Sequence, residues 1–283
     1  MKENFRNFYE IIKKIGQGRF GTIYEVKDKK TKEKRAIKLI EKSEILSKYK
    51  KEDEQIDNNK VIDLYMNGFI NEINLTKTLE NENVVKFYEY FNTDDELVIV
   101  MELCDSNLLD IISKYTFVYA YFRVIFSLND IFKKMFKEKI VHGNLRLENI
   151  LIKYLNRQED KYFAKLKFSD DIYTIKEFPK TFENESSKSR IKYIAPEILK
   201  GEEYNEKSDL WSLGIIYYKI AYNKFPFNGE SENEILDEIK KTKQIIQETN
   251  IDNNIEDLIN KLLQENPQKR ISWEEYFNHP IFN

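Results

Sequence analysis

Cysteine is nearly missing from this chain of 283 residues, and the single Cys104 excludes an internal disulfide and any zinc site built from several thiolates. Such usage fits a reducing compartment. Long hydrophobic runs are missing too: runs such as Leu97 to Met101 fall far short of the ~20 residues that span a bilayer. Met1 to Glu10 mixes charges with aromatics and holds no apolar run, so no signal peptide is expected. No excess of one charge stands out, because 46 Lys and Arg oppose 49 Asp and Glu for a net −3. That balance gives no reason to expect nucleic acid or an anionic membrane as a partner. No internal repeat is visible. What is present is a 41% apolar and 14% aromatic composition, enough for a packed interior in one large domain or two lobes. A cytoplasmic location is the expectation.

Phe8 to Ile15 is apolar-rich and ends at Gly16-Gln17-Gly18-Arg19-Phe20-Gly21, after which Thr22 to Val26 alternates as a strand. In a dinucleotide fold this glycine pattern would open a helix. Here a second strand, Arg35 to Ile40, follows the basic run Lys27 to Lys34, which reads as a solvated hairpin tip. Glycines without Cβ let backbone N–H groups lie close over phosphates; the plain alternative is an ordinary glycine hairpin. Ala36-Ile37-Lys38 sets a lysine among apolar neighbours, which is costly unless it is paired. The best partner is Glu72, on an amphipathic helix over Val61 to Leu75 where Ile62, Tyr65, Met66, Phe69 and Ile73 approximate a 3–4 spacing. Between them the polar stretch Lys48 to Lys60 predicts a surface loop. Val84 to Phe91 and Leu97 to Met101 predict two more strands, and Tyr119 to Lys139 predicts one long helix with a broad apolar face.

The middle of the chain reads Val141-His142-Gly143-Asn144-Leu145-Arg146-Leu147-Glu148-Asn149. It resembles the catalytic loop of the eukaryotic protein kinases, H-R-D-L-x-x-x-N, with His142, Leu145 and Asn149 in register. The rest of the chain supports the resemblance in order. The glycine turn stands before the V-A-I-K-like strand. Glu102-Leu103-Cys104 resembles the hinge whose backbone holds adenine, with Met101 as the residue guarding the pocket behind it. Ala195-Pro196-Glu197 matches A-P-E, Ser208-Asp209-Leu210-Trp211 resembles the buried helix whose Asp holds the catalytic loop, and Arg270 matches the late Arg that pairs with the A-P-E Glu. His279 is expected to be structural. The resemblance implies an α+β bilobal fold: one kinase-like domain over 1–283, with a small antiparallel β-sheet lobe at about 8–103 and a mainly helical lobe at about 104–283.

For chemistry, the resemblance implies an ATP site made by Ile15, Gly16, Gly18, Gly21, Val26, Ala36, Lys38, Glu72, Met101, Glu102, Cys104 and Leu151. It implies a Mg²⁺ site made by Asn149 and Asp170, with Ser169 as the other register for the metal-binding Asp. Val26, Ala36, Leu151, Ile216 and Ile220 would form the column that flanks adenine. Arg146 stands where many members carry a Lys near the transferred phosphate. Two loop positions depart from the pattern: Gly143 replaces Arg, and Asn144 replaces the Asp that accepts the substrate proton. Asp171 stands at the D-F-G Phe, Thr76 at the aliphatic position four after Glu72, and Ser189 and Arg190 at the Gly and Thr before A-P-E. The expectation is a pseudokinase that binds ATP and acts on a protein partner as regulator or scaffold. The alternatives are a slow serine/threonine kinase with a protein substrate, and an interaction module that leaves its nucleotide pocket unused.

Overall fold

The computed structural model describes residues 4–18, 21–50, 57–112, 118–156, 161–167, 189–242 and 251–282. Alternating β-rich segments in the first third form an antiparallel five-stranded sheet in the order β1-β2-β3-β5-β4. These strands are β1 (Tyr9–Gln17), β2 (Thr22–Asp28), β3 (Lys34–Glu41), β4 (Phe87–Asn92) and β5 (Glu96–Glu102). Side chains alternate faces along a strand, and direct cross-strand partners share one. Ile37 opposite Val100 and Leu39 opposite Val98 define one face. There they join Phe5, Tyr9, Val26 and Phe91 in a buried cluster. Ala36 opposite Met101, Lys38 opposite Ile99 and Ile40 opposite Leu97 define the other.

Two helices lie between β3 and β4, α1 (Lys42–Lys50) and α2 (Asn58–Thr78). The expected polar loop over 48–60 is therefore helical at both ends, and its centre, 51–56, lies outside the described residues. Asp57 starts α2 by accepting from the Asn59 N–H at 2.9 Å, an N-cap that satisfies a donor with no partner within the helix. The stripe that α2 buries runs through Val61, Tyr65, Phe69 and Ile73, four residues apart. That spacing follows one face of an α-helix.

The described residues divide into two compact units, 4–105 and 106–167 with 189–282. The second begins with β6 (Ser106–Asn107) and α3 (Leu108–Ile112). The long helix expected over 119–139 is instead two, α4 (Val118–Phe126) and α5 (Asn129–Lys137). At the break the Ser127 hydroxyl donates to the Val124 carbonyl at 2.7 Å, competing with the helical ladder. Strands β7 (Ile150–Asn156) and β8 (Lys161–Leu166) extend β6 into a three-stranded sheet. The alternation of Leu166-Lys167-Phe168-Ser169-Asp170 also reads as a strand that ends on an acid; Leu166 closes β8, and 168–170 lies outside the described residues. Then come α6 (Pro196–Leu199), α7 (Glu206–Tyr222), α8 (Glu232–Lys241), α9 (Asn253–Leu262) and α10 (Trp273–Phe277).

Helix α7 is buried along most of its length, including Leu210, Trp211, Leu213, Ile216 and Tyr217. Its N-terminus is closed by a capping box between Asn205 and Ser208. The buried Tyr276 hydroxyl donates to Asn129 Oδ1 at 3.2 Å, so the Tyr217 hydroxyl donates to Tyr276 at 2.7 Å. This chain of hydroxyls ties α5, α7 and α10. His279 is structural as expected. It is buried, its Nε2 donates to Asp257 on α9 at 2.9 Å, and its Nδ1 accepts from the Ile281 N–H. Among the described residues no helix is long and apolar enough to cross a membrane.

Candidate active site

In the first unit the glycine turn closes on itself, Gly18 N–H donating to the Gly21 carbonyl at 2.7 Å. Gly21 cannot carry a side chain, because a Cβ there would collide with the Leu39 carbonyl of β3. A Cβ on Gly18 would lie 4.0 Å from Lys38 Cε, so the lysine stem reaches the turn. Lys38 is 4% exposed and Glu72 is 7% exposed. A buried ammonium on the Ala36–Met101 face, under a glycine turn, has the chemistry to hold a polyphosphate. Ile15 is exposed and Gly16 packs against Ile23.

One expected contact sits elsewhere. Val26 lies in the cluster with Tyr9 and Phe91, on the sheet face away from Lys38. Ile23 lies directly opposite Lys38 and shares its face. Positions 23 and 26 differ by an odd number, so a period of two puts them on opposite sides. The spacing G-x-G-x-x-G-x-V, counted from Gly16, points to Ile23 and would have found it. At its C-terminal end β5 leaves the ladder after Glu102, whose N–H donates to the Lys86 carbonyl at 2.8 Å, and Leu103 and Cys104 follow outside the strand.

In the second unit the catalytic-loop stretch is fixed from below. Asp209 on α7 accepts from the His142 N–H at 2.6 Å and from the Gly143 N–H at 2.8 Å. Asp209 is wholly enclosed. Burial pushes its carboxyl up to about 7, against the opposing pull of those two donors. His142 Nδ1 accepts from the Asn144 N–H at 3.2 Å, which leaves the proton on Nε2, facing the Lys167 carbonyl at 3.2 Å. Burial lowers this imidazole to about 3, so it is neutral. Gly143 has φ +67°, a left-handed conformation that strains any residue with a Cβ.

Asn149 Nδ2 donates to the Asn144 carbonyl at 2.8 Å, which locks the ends of the loop together. It leaves the Asn149 Oδ1 as the oxygen able to face a cation, so this residue fits a hard metal such as Mg²⁺. Asp170, the other expected ligand, lies outside the described residues, as do Ser169 and Asp171. Arg146 Nε is 3.9 Å from Glu148 Oε2, beyond hydrogen-bond reach. Ser189 donates to the other Glu148 oxygen at 2.9 Å, a link between loop and A-P-E stretch that the sequence did not signal. Leu151 is partly buried on β7, while Ile216 and Ile220 are buried on α7.

Glu197 and Arg270 form a buried bidentate pair at 2.7 and 2.9 Å. The remaining guanidinium donors go to the Lys207 carbonyl at 2.6 Å and to the Gln264 carbonyl at 3.1 and 3.0 Å. All five donors of the fork are thereby used.

A family model described as protein kinase domain matches residues 9–282. The chain belongs to the eukaryotic protein kinase superfamily. This kinase domain is 30% identical to calcium-dependent protein kinase 5 of Plasmodium falciparum (isolate 3D7), over 99% of this chain and 46% of that protein. It is 31% identical to calcium-dependent protein kinase 4 of Plasmodium berghei (strain Anka), over 97% of this chain and 49% of that protein. To serine/threonine-protein kinase atg1 of Dictyostelium discoideum it is 29% identical, over 97% of this chain and 39% of that protein. The kinase domain described here thus spans about half the length or less of these relatives.

Proposed function

We propose that this kinase domain is a pseudokinase that binds ATP and regulates or scaffolds a protein partner. One observation carries the reading. The loop is held as a catalytic loop should be, by Asp209, His142 and Asn149, while the residue at the base position is the buried amide Asn144.

Each unit contributes its own share. In the first, the glycine turn and Lys38 bind and orient phosphates, Ala36 and Met101 give the apolar surface for the base, and Glu102 to Cys104 offer hinge backbone. In the second, Asn149 would hold Mg²⁺ through its Oδ1; Asp170, the other ligand that the resemblance assigns, lies outside the described residues. ATP supplies the phosphoryl group, and the metal neutralises charge on it. Phosphoryl transfer asks the protein mainly for positioning and charge. The proton of an attacking hydroxyl still needs an acceptor. A carboxamide nitrogen cannot take it, and the carboxamide oxygen is a far weaker base than a carboxylate. Loss of a positioned base typically costs ~10²–10⁴ in rate, roughly 3–5 kcal/mol of barrier.

Calorimetric titration with ATP, with and without Mg²⁺, tests the nucleotide half. Saturable binding that disappears in Lys38→Ala is expected; absence of heat and of thermal shift in folded protein would sink it. Radiolabelled transfer to a peptide tests the other half, and Lys38-dependent turnover at ordinary kinase rates would overturn the pseudokinase reading. A slow serine/threonine kinase is the second reading. The names of the relatives and the capacity of Asn144 to hydrogen-bond a hydroxyl support it.

A further inference from the structure

We propose that Lys192, Lys219 and Phe225 form a docking site for an acidic peptide segment of a protein partner. The proposal rests on the reading of this domain as one that engages proteins, and names the chemistry it selects.

Two ammonium groups converge on one ring. Lys192 Nζ lies 5.1 Å and Lys219 Nζ 5.3 Å from the centre of Phe225. The ring is fixed edge-on by Tyr193, 5.4 Å away at 90°, and the Tyr193 carbonyl is held by the Ser212 hydroxyl at 2.9 Å. Lys219 Nζ donates to the Asn223 carbonyl at 2.8 Å, which orients it and leaves it further donors. Among the described residues no carboxylate oxygen lies within 4.0 Å of either ammonium. All three side chains are partly exposed.

Cation–π contact attracts each ammonium to the ring. It does not explain why two like charges share one ring, since they repel each other. The cost is visible at Lys219, lowered first by burial and then by Lys192. An acidic segment lying beside Phe225 would present carboxylates to the two amines and offset their repulsion. Lys192 belongs to the stretch that leads into Ala195-Pro196-Glu197. Lys219 rides on α7, the helix whose Asp209 holds the catalytic loop. Ten helical residues rise about 15 Å, a distance that about five extended residues can bridge.

The test uses the whole chain and two fluorescent peptides read by anisotropy. Both are centred on serine, one flanked by glutamates and the other by lysines. We expect the acidic peptide to bind at least about tenfold tighter at low salt and to lose that advantage as salt screens it. Lys192→Glu with Lys219→Glu should reverse the preference, and the glutamine pair should abolish it, in protein with an unchanged thermal melt. Should the charge-reversed protein fail to fold, the salt dependence and the glutamine pair still decide. Equal affinity for both peptides, or acidic binding that ignores both double variants, overturns the proposal. ATP titration of the wild-type protein is read separately. If that fails while the peptide preference holds, the nucleotide reading falls and the docking site stands.

Discussion

Glu197 and Asp209 are both buried carboxylates of the helical unit, and they are stabilised in different ways. Glu197 meets a full countercharge, the forked guanidinium of Arg270. Asp209 meets two neutral backbone donors, those of His142 and Gly143. The ion pair anchors the end of the A-P-E stretch, and the neutral arrangement holds the catalytic loop. The pair satisfies its charge outright. The neutral arrangement leaves Asp209 sensitive to proton concentration. The foundation of the loop is therefore intact in shape and soft in electrostatics, while the changed residues sit above it.

The sharpest way to break the comparison is to remove the countercharge. Arg270→Ala leaves Glu197 buried and unpaired, and should cost about 3–5 kcal/mol of stability, read as a shift in urea midpoint. A near-neutral result would mean that Glu197 reaches solvent or another cation. Asp209→Asn keeps the shape but turns an amide donor toward one of the two N–H groups. It should cost about 1–3 kcal/mol by the same measurement.

The pH dependence sharpens the contrast further. Asp209 is raised from 3.8 to about 7, so the folded chain holds its proton more tightly than the unfolded chain. Its stability contribution is fullest at low pH and falls between about 4 and 7. His142 is lowered from 6.5 to about 3, so the unfolded chain takes up that proton first. Its contribution is complete above 6.5 and is lost as pH falls toward 3. The two slopes oppose each other in the wild type. Asp209→Asn should expose a stability that rises between pH 4 and 6.5, and His142→Phe one that falls over the same range. Parallel profiles for all three proteins would show that neither group titrates from inside the fold.

Much of this was legible from spacing. Four of the five strands follow from local alternation, whereas Lys38 beneath the glycine turn, Asp209 under the loop and the Glu197–Arg270 pair were legible through the resemblance to the kinase motifs. What escaped depends on backbone geometry or on distant partners. Val26 looked like a pocket residue until the register placed it behind the sheet. The break at Ser127 turns on one side-chain hydrogen bond, and the Ser189–Glu148 link joins residues remote in sequence. Gly143 read as a lost arginine, and its positive φ was invisible.

That φ supports the smallest effects. Gly143→Arg should cost about 1 kcal/mol from strain in the left-handed region, measurable as a lowered melting temperature. Adding Asn144→Asp should recover little phosphotransfer. Thr76 also remains in place, its hydroxyl turned back to the Glu72 carbonyl at 2.8 Å. Robust activity in that double variant would show that the missing base was the whole defect.

The guanidinium of Arg270 gathers Glu197, Lys207 and Gln264 into one knot. On a chain emerging from the ribosome, the first two of these segments appear long before the arginine that joins them. Until it arrives, Glu197 has no counter-ion and the helical half cannot close around it. A nonsense mutation upstream of codon 270 would thus be felt some seventy residues back, at the A-P-E turn.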